Sequence, residues 1–183
     1  MCSSDLMCIW CTASAPRERA NVSKISFISQ SVIDVLESEA AASPRRRKNL
    51  NYHDTYQHPC QRMLSMMHAD SYVPPHRHLN ASKDEIMVIL RGRSGLVFFD
   101  ETGAVTQTQL MVAGGACLGV NIPAGQYHTI VAFDEGATVF ECKAGPYEPH
   151  AALEKAPFAP GEGEPGAAAY MVQLKSLFSE QGA

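Results

Sequence analysis

The chain has 183 residues, 45% of them hydrophobic and 19% charged, which is ordinary globular material with enough apolar sequence for one core but not two. Its formal net charge of −4 argues against bulk nucleic-acid binding, which needs a basic surface. No run reaches the roughly 18 apolar residues that cross a bilayer, so neither nucleic acid nor membrane is an expected partner.

At the N-terminus, "LMCIWCTASA" is apolar and ends in small residues, as a signal peptide does. No Lys or Arg precedes it, and Asp5 stands where the positive region belongs. Cys8 and Cys11 have C-x-x-C spacing, with Cys2 nearby, but they lack the further ligands of a zinc site and the βαβ setting of a redox motif. Residues 1–23 therefore read as a disordered extension or a misplaced start, and residues before about 20 as dispensable. Cys60, Cys117 and Cys142 have no framework spacing and are expected to be reduced thiols in a cytoplasmic protein.

Residues 24–60 hold a helix and a basic connecting segment. Ile28, Val32, Val35 and Leu36 recur at helical spacing over residues 29–42, with Glu37 and Glu39 on the polar side. Ser29 or Ser31 can cap the start, and Pro44 forces the end. The "PRRRK" run at residues 44–48 reads as a solvated turn, an anion-binding rim being the second reading.

Over residues 61–145 the pattern changes to short strands and turns. "LVFFD" and "AVTQTQLMV" flank "ETG", a hairpin signal, while "GVNI" and "YHTIVAF" flank "PAG" and "ATVFECK" follows "DEG". This punctuation predicts an all-β sandwich or barrel, with the helix packed outside it. "EIMVILRG" is apolar on both alternating faces, so one face needs a cover, and a homodimer through sheet edges or the helix is expected. Residues 146–183 are a Pro/Gly/Ala-rich extension that packs on the barrel and ends in "AAYMVQLKSLF", a short strand or helix.

Chemistry concentrates in "YVPPHRHLNASKDEIMVILRG" and "IPAGQYHTIVAF". His76 and His78 share one face of an extended strand, Glu85 opens the next strand after a polar loop, and His128 follows a P-x-G turn. Three imidazoles and one carboxylate converging inside a barrel suit a single divalent ion: Fe, Mn, Ni or Zn by ligand type. A lone H-x-H is more often a hydrogen-bonded core pair, and the ordered combination is what carries the reading.

That combination resembles the two signature motifs of the cupin superfamily, which implies a small jelly-roll β-barrel. In the first motif His76, His78, Glu85 and Gly92 match, Asp70 replaces the first glycine, and the gap before Glu85 is longer than usual. In the second, Pro123, Gly125 and His128 match, and Ala132 replaces the usual asparagine. "SPRRRKNLNYH", "QRMLSMMHADSYVPPHRH", "VILRG", "IPAGQYHT" and "FECKAGPYEP" resemble the WbuC family of cupin-fold metalloproteins. Its members often accompany surface-polysaccharide genes, which implies a small-molecule ligand such as a sugar nucleotide.

Beyond the metal set, Glu141 and Lys143 share one strand face, and Phe140 and Cys142 the other. An inward Glu141 is a candidate general base, whereas a solvated Glu/Lys face is the plainer reading. His53, Gln61 and Arg62 lie in the pre-barrel segment. Arg62 and His53 are candidate substrate-binding residues, with an Arg62–Asp70 bridge as the structural alternative for the arginine. Met63, Met66 and Met67 read as core. Function divides between a metal-dependent enzyme, an isomerase/epimerase or oxygenase acting on a small polar or sugar-derived substrate, and a non-catalytic ligand-binding or sensing module. A purely structural metal ranks third. An inward general base beside the metal favours chemistry, and a pocket lined only by apolar groups favours binding.

Overall fold

The computed structural model describes residues 25–148 and 152–181; the expectations for residues 1–23, including Cys2, Cys8 and Cys11, lie outside the described residues. Ser29 is extended and its hydroxyl accepts a hydrogen bond from the Val32 N–H, capping helix α1 (Gln30–Ala42). The helix buries Ile33, Leu36 and Ala40, while Ile28 and Val35 stay exposed. The expected stripe is thus rotated. Asp34 and Glu37 both pair with Arg91, which turns those two residues toward the adjacent sheet, and small Ala40 allows close approach.

The basic run is not a free turn. Arg46 adopts a left-handed φ of 54° and bonds Asp70 and the Ala41 carbonyl, and Arg45 and Arg47 both grip Glu162. The chain then enters an edge strand that the charge pattern conceals, β1 (Arg47–Asn51). There follow β2 (Cys60–Met67), β3 (Glu85–Arg91), β4 (Arg93–Phe99), β5 (Val105–Val112), β6 (Gly119–Ile122), β7 (Tyr127–Ala132), β8 (Ala137–Ala144) and helix α2 (Ala167–Ser176).

All pairings are antiparallel. The strands form a five-stranded sheet, β1-β2-β8-β3-β6, and a three-stranded sheet, β5-β4-β7. The protein is mostly β, and its two sheets face each other as an open, jelly-roll-like sandwich rather than a closed barrel. The "ETG" hairpin joins β4 to β5, with Asp100 Oδ1 accepting from the Thr102 and Ala104 N–H groups. In contrast, "PAG" carries the chain from one sheet to the other. Gly125 turns there with φ 85°, and its N–H donates to the His78 carbonyl at 2.7 Å.

Met67, Met87, Ile89, Leu96, Phe98 and Ile130 are among the residues that fill the space between the sheets. Each such side chain, fully buried, contributes about 1.5–3 kcal/mol. Helix α1 covers Leu64 and Met66 on the outside of the large sheet. The C-terminal segment covers Val97, Phe99 and Val131 on the outside of the small one. Phe178 lies flat there because Gly95 has no side chain; a Cβ would stand 2.5 Å from its ring. On the outer face of β3, Ile86 and Val88 remain 45% and 37% exposed.

Candidate metal centre

His76 and His78 do not sit in a regular strand. The segment around them is held beside β7 by a reciprocal pair of bonds, His76 N–H to the His128 carbonyl at 3.0 Å and His128 N–H to the His76 carbonyl at 2.9 Å. Thr129 adds a side-chain bond to the Val73 carbonyl. The polar loop before β3 then folds back, with Asp84 accepting from the Ala124 N–H. Glu85 thereby enters the same space from the opposite sheet.

The result is a compact cluster. One ligating atom from each of His76, His78, Glu85 and His128 lies within 4.8 Å of the others. Glu85 Oε2 is 3.1 Å from His128 Nε2 and 3.4 Å from His78 Nε2. His78, Glu85 and His128 are buried, and His76 is the half-buried member. A cavity of about 580 Å³ opens beside His76, walled also by Arg47, Val73, Lys155 and Glu162.

The donor set fits a divalent ion. His128 Nδ1 faces the Gln126 carbonyl at 2.9 Å and His76 Nδ1 faces the Pro74 carbonyl at 3.0 Å. A carbonyl only accepts, so each Nδ1 carries the hydrogen and Nε2 is the nitrogen left to ligate. In a neutral imidazole, His128 Nε2 then offers its lone pair toward a carboxylate oxygen that also offers lone pairs. A cation between the two removes that conflict. Ligands held at about 2.1 Å from one ion lie within about 4.2 Å of each other, so only a small inward movement separates these donors from that span.

Glu141 and Lys143 both point inward, which corrects the solvated-face reading. Lys143 Nζ donates to Glu85 Oε1 at 2.9 Å and to Glu141 Oε1 at 2.7 Å, and Ser65 donates to Glu141 Oε2 at 3.2 Å. Burial opposes ionisation of Glu85, but hydrogen bonds that His128 and His78 make when Nε2 also carries a proton, in the site without an ion, and the charge of Lys143 outweigh it and hold its carboxyl well below the usual range. Burial, and then the Glu85 charge, push Glu141 up to about 7. Burial works against the Lys143 charge, yet the two carboxylates raise its affinity for the proton above the ordinary value.

Lys143 is thus a bridging cation that the sequence reading left out; its only signal was the shared face with Glu141. The C-terminal segment is expected from the sequence to pack on the barrel, but its contacts with the histidine segment leave no signal there. Arg77 N–H donates to the Glu154 carbonyl, and Glu154 Oε1 accepts from the Leu79 N–H.

Arg62 and His53 are not brought to the cluster. Arg62 lies opposite Cys142, on the face of the large sheet turned away from Glu141, and donates to the Tyr52 carbonyl at 3.1 Å. Asp70 pairs with Arg46 instead, which removes the expected Arg62–Asp70 bridge. His53 is buried, and its Nδ1 accepts from the Arg62 N–H at 3.1 Å. Of the methionines, Met63, Met66 and Met67 are all buried.

A family model described as a domain of unknown function (DUF6016) matches residues 28–111, just under half of the chain. No curated protein matches. Similar solved structures include KdgF from Halomonas sp., 14% identical over 58% of this chain and 84% of that one, with a TM-score of 0.45. A cupin superfamily protein from Desulfitobacterium hafniense is 16% identical over 60% of this chain and 86% of that one, with a TM-score of 0.44. Bacillus subtilis oxalate decarboxylase, described with Mn(II) centres, is 14% identical over 60% of this chain and 27% of that one, with a TM-score of 0.44.

Proposed function

We propose that this chain is a metal-binding cupin, allied to the WbuC family, in which His76, His78, Glu85 and His128 hold one divalent transition metal. On this reading it is a metal-dependent enzyme acting on a small polar or sugar-derived substrate, such as a sugar nucleotide, in surface-polysaccharide metabolism. The observation that carries the enzymatic reading is Glu141, a second buried carboxylate joined to Glu85 through Lys143. A site that only bound a ligand would not need a further ionisable group, costly to bury, beside its metal.

When bound, the metal supplies Lewis-acid polarisation of a substrate oxygen, or redox chemistry if it is iron. The chain's own residues supply the rest. Glu141, with a proton affinity near neutrality, can take or return a proton, and Lys143 and Ser65 hold its carboxyl in place. Met87 and Ile130, inward on the neighbouring strands, keep water from the deep side of the site.

Metal analysis of protein purified without added metal should find a single bound ion, and a metal-free protein that takes up none would sink the proposal. A thermal-shift screen of sugar nucleotides then supplies the substrate. Glu141→Gln should keep the ion and the ligand shift but lose turnover. A ligand bound and returned unchanged by the wild type would favour the binding or sensing module instead. We also propose a cytoplasmic homodimer formed through the β1 edge and the exposed Val35 side of α1, supported by the apolar groove of Val32, Val35, Leu36 and Leu50. A monomer in light scattering at micromolar concentration would contradict it.

A further inference from the structure

Cys60 and Cys142 are 82 residues apart in sequence, yet their sulfurs lie 3.6 Å apart on neighbouring strands β2 and β8. In the register, Cys60 faces Ala144 and Arg62 faces Cys142, so the two cysteines are diagonal neighbours on the outer face of the large sheet. Both are free thiols and half-buried, so an oxidant can reach them. Their backbone is held from both sides. The Cys60 N–H donates to His58 Nδ1 at 3.1 Å, and the Gly145 N–H donates to the Pro59 carbonyl at 2.8 Å. Nothing in the metal centre uses this pair, because it stands on the opposite face of the sheet from Glu141 and Lys143.

We propose that Cys60 and Cys142 form a reversible thiol–disulfide couple, closed by a peroxide and reopened by a low-molecular-weight thiol. A disulfide needs its sulfurs at about 2.05 Å. Closing the remaining gap of roughly 1.5 Å asks for side-chain rotation and a slight approach of two strands that are already hydrogen-bonded. The Cys60 sulfur attacks one peroxide oxygen, breaking the O–O bond and giving a sulfenic acid, while the thiol proton leaves with the second oxygen as water. The Cys142 sulfur then attacks the Cys60 sulfur, displacing the sulfenic oxygen as a second water with the Cys142 proton. Two thiols are oxidised by two electrons and one peroxide is reduced. Burial, and then the adjacent Cys60, push the Cys142 thiol up, which makes Cys142 the poorer first nucleophile and suits it to the second step.

The test uses the full chain, treated with a small excess of hydrogen peroxide, alkylated and mapped by non-reducing peptide mass spectrometry. A Cys60–Cys142 linkage within one chain should be the main product among the three described cysteines. Cys117 should stay open to alkylation, and dithiothreitol should restore both thiols. Because the bond closes a long loop, the oxidised protein should melt at a higher temperature than the reduced one. In Cys142→Ser, Cys60 should stop at a sulfenic acid that dimedone traps, and in Cys60→Ser no linkage to Cys142 should form. Oxidation of other cysteines without this linkage, or linkage only between chains, overturns the proposal. So does a Cys142→Ser protein that melts like the wild type yet yields no dimedone adduct at Cys60.

Discussion

Three strands each carry a polar and an apolar residue on the same inward face, four positions apart. On β3 these are Glu85 and Ile89, on β7 His128 and Ala132, and on β8 Glu141 and Ala137. All six are buried, so burial does not separate the two ends of the sandwich. The partners do. At one end, Ile89, Ala132, Ala137 and Val139 belong to the apolar cluster between the sheets and contribute stability through area removed from water. At the other, both carboxylates meet Lys143: Glu85 through Oε1, and Glu141 through Oε1 with Ser65 on its second oxygen. Paired charges inside a protein roughly offset their own desolvation and add little net stability. One end therefore holds the fold together, and the other is carried by it.

The largest expected effect comes from the polar end. His128→Ala should abolish metal binding, since it removes a buried donor and the residue that faces Glu85, and elemental analysis reads this directly. Glu85→Gln should weaken binding less, because it removes a charge but keeps an oxygen donor. The division between the ends fails if His128→Ala keeps its full metal content. Ile89→Ala probes the apolar end of the strand that carries Glu85. It should destabilise the protein by about 2–5 kcal/mol in chemical denaturation and leave metal stoichiometry unchanged in the folded protein. If metal is lost as well, the two ends are not independent.

The sequence makes the cluster legible because its signals are local and ordered. H-x-H, a strand-opening glutamate and P-x-G-x-x-H each fix a direction over a few residues, and "ETG" marks its hairpin through side-chain chemistry. What escaped depends on distant partners. Strand β1 hides in a basic run because Glu162, which neutralises Arg47, is 115 residues away. The rotation of α1 follows from Arg91, whose pairing with Asp34 no helical period encodes. Glu141 and Lys143 alternate as a solvated strand does, and only the position of Glu85 across the sheet turns them inward. Likewise, Cys60 and Cys142 show no framework spacing, because the register of β2 on β8 alone brings them together.

The smallest expected effect tests the boundary between the two ends. Glu141 sits one residue pair from Val139 along β8, where the charged end gives way to the apolar one, and its carboxyl is raised to about 7 from an ordinary 4.5. Between those values the folded protein keeps a proton that the unfolded chain has released. The native state thus binds more protons, and unfolding free energy falls as pH rises. Glu85 acts in the other direction: its lowered carboxyl stabilises the fold above the ordinary value and loses that contribution progressively as pH falls below it. Metal-free protein should therefore lose stability on going from about pH 5 to 7, with a slope of up to about 1.4 kcal/mol per pH unit for one proton. Glu141→Gln removes the titrating group and should flatten that slope while leaving the acid limb unchanged. Denaturation curves at several pH values read both limbs, and a slope that survives in Glu141→Gln would assign the neutral-range titration to another group.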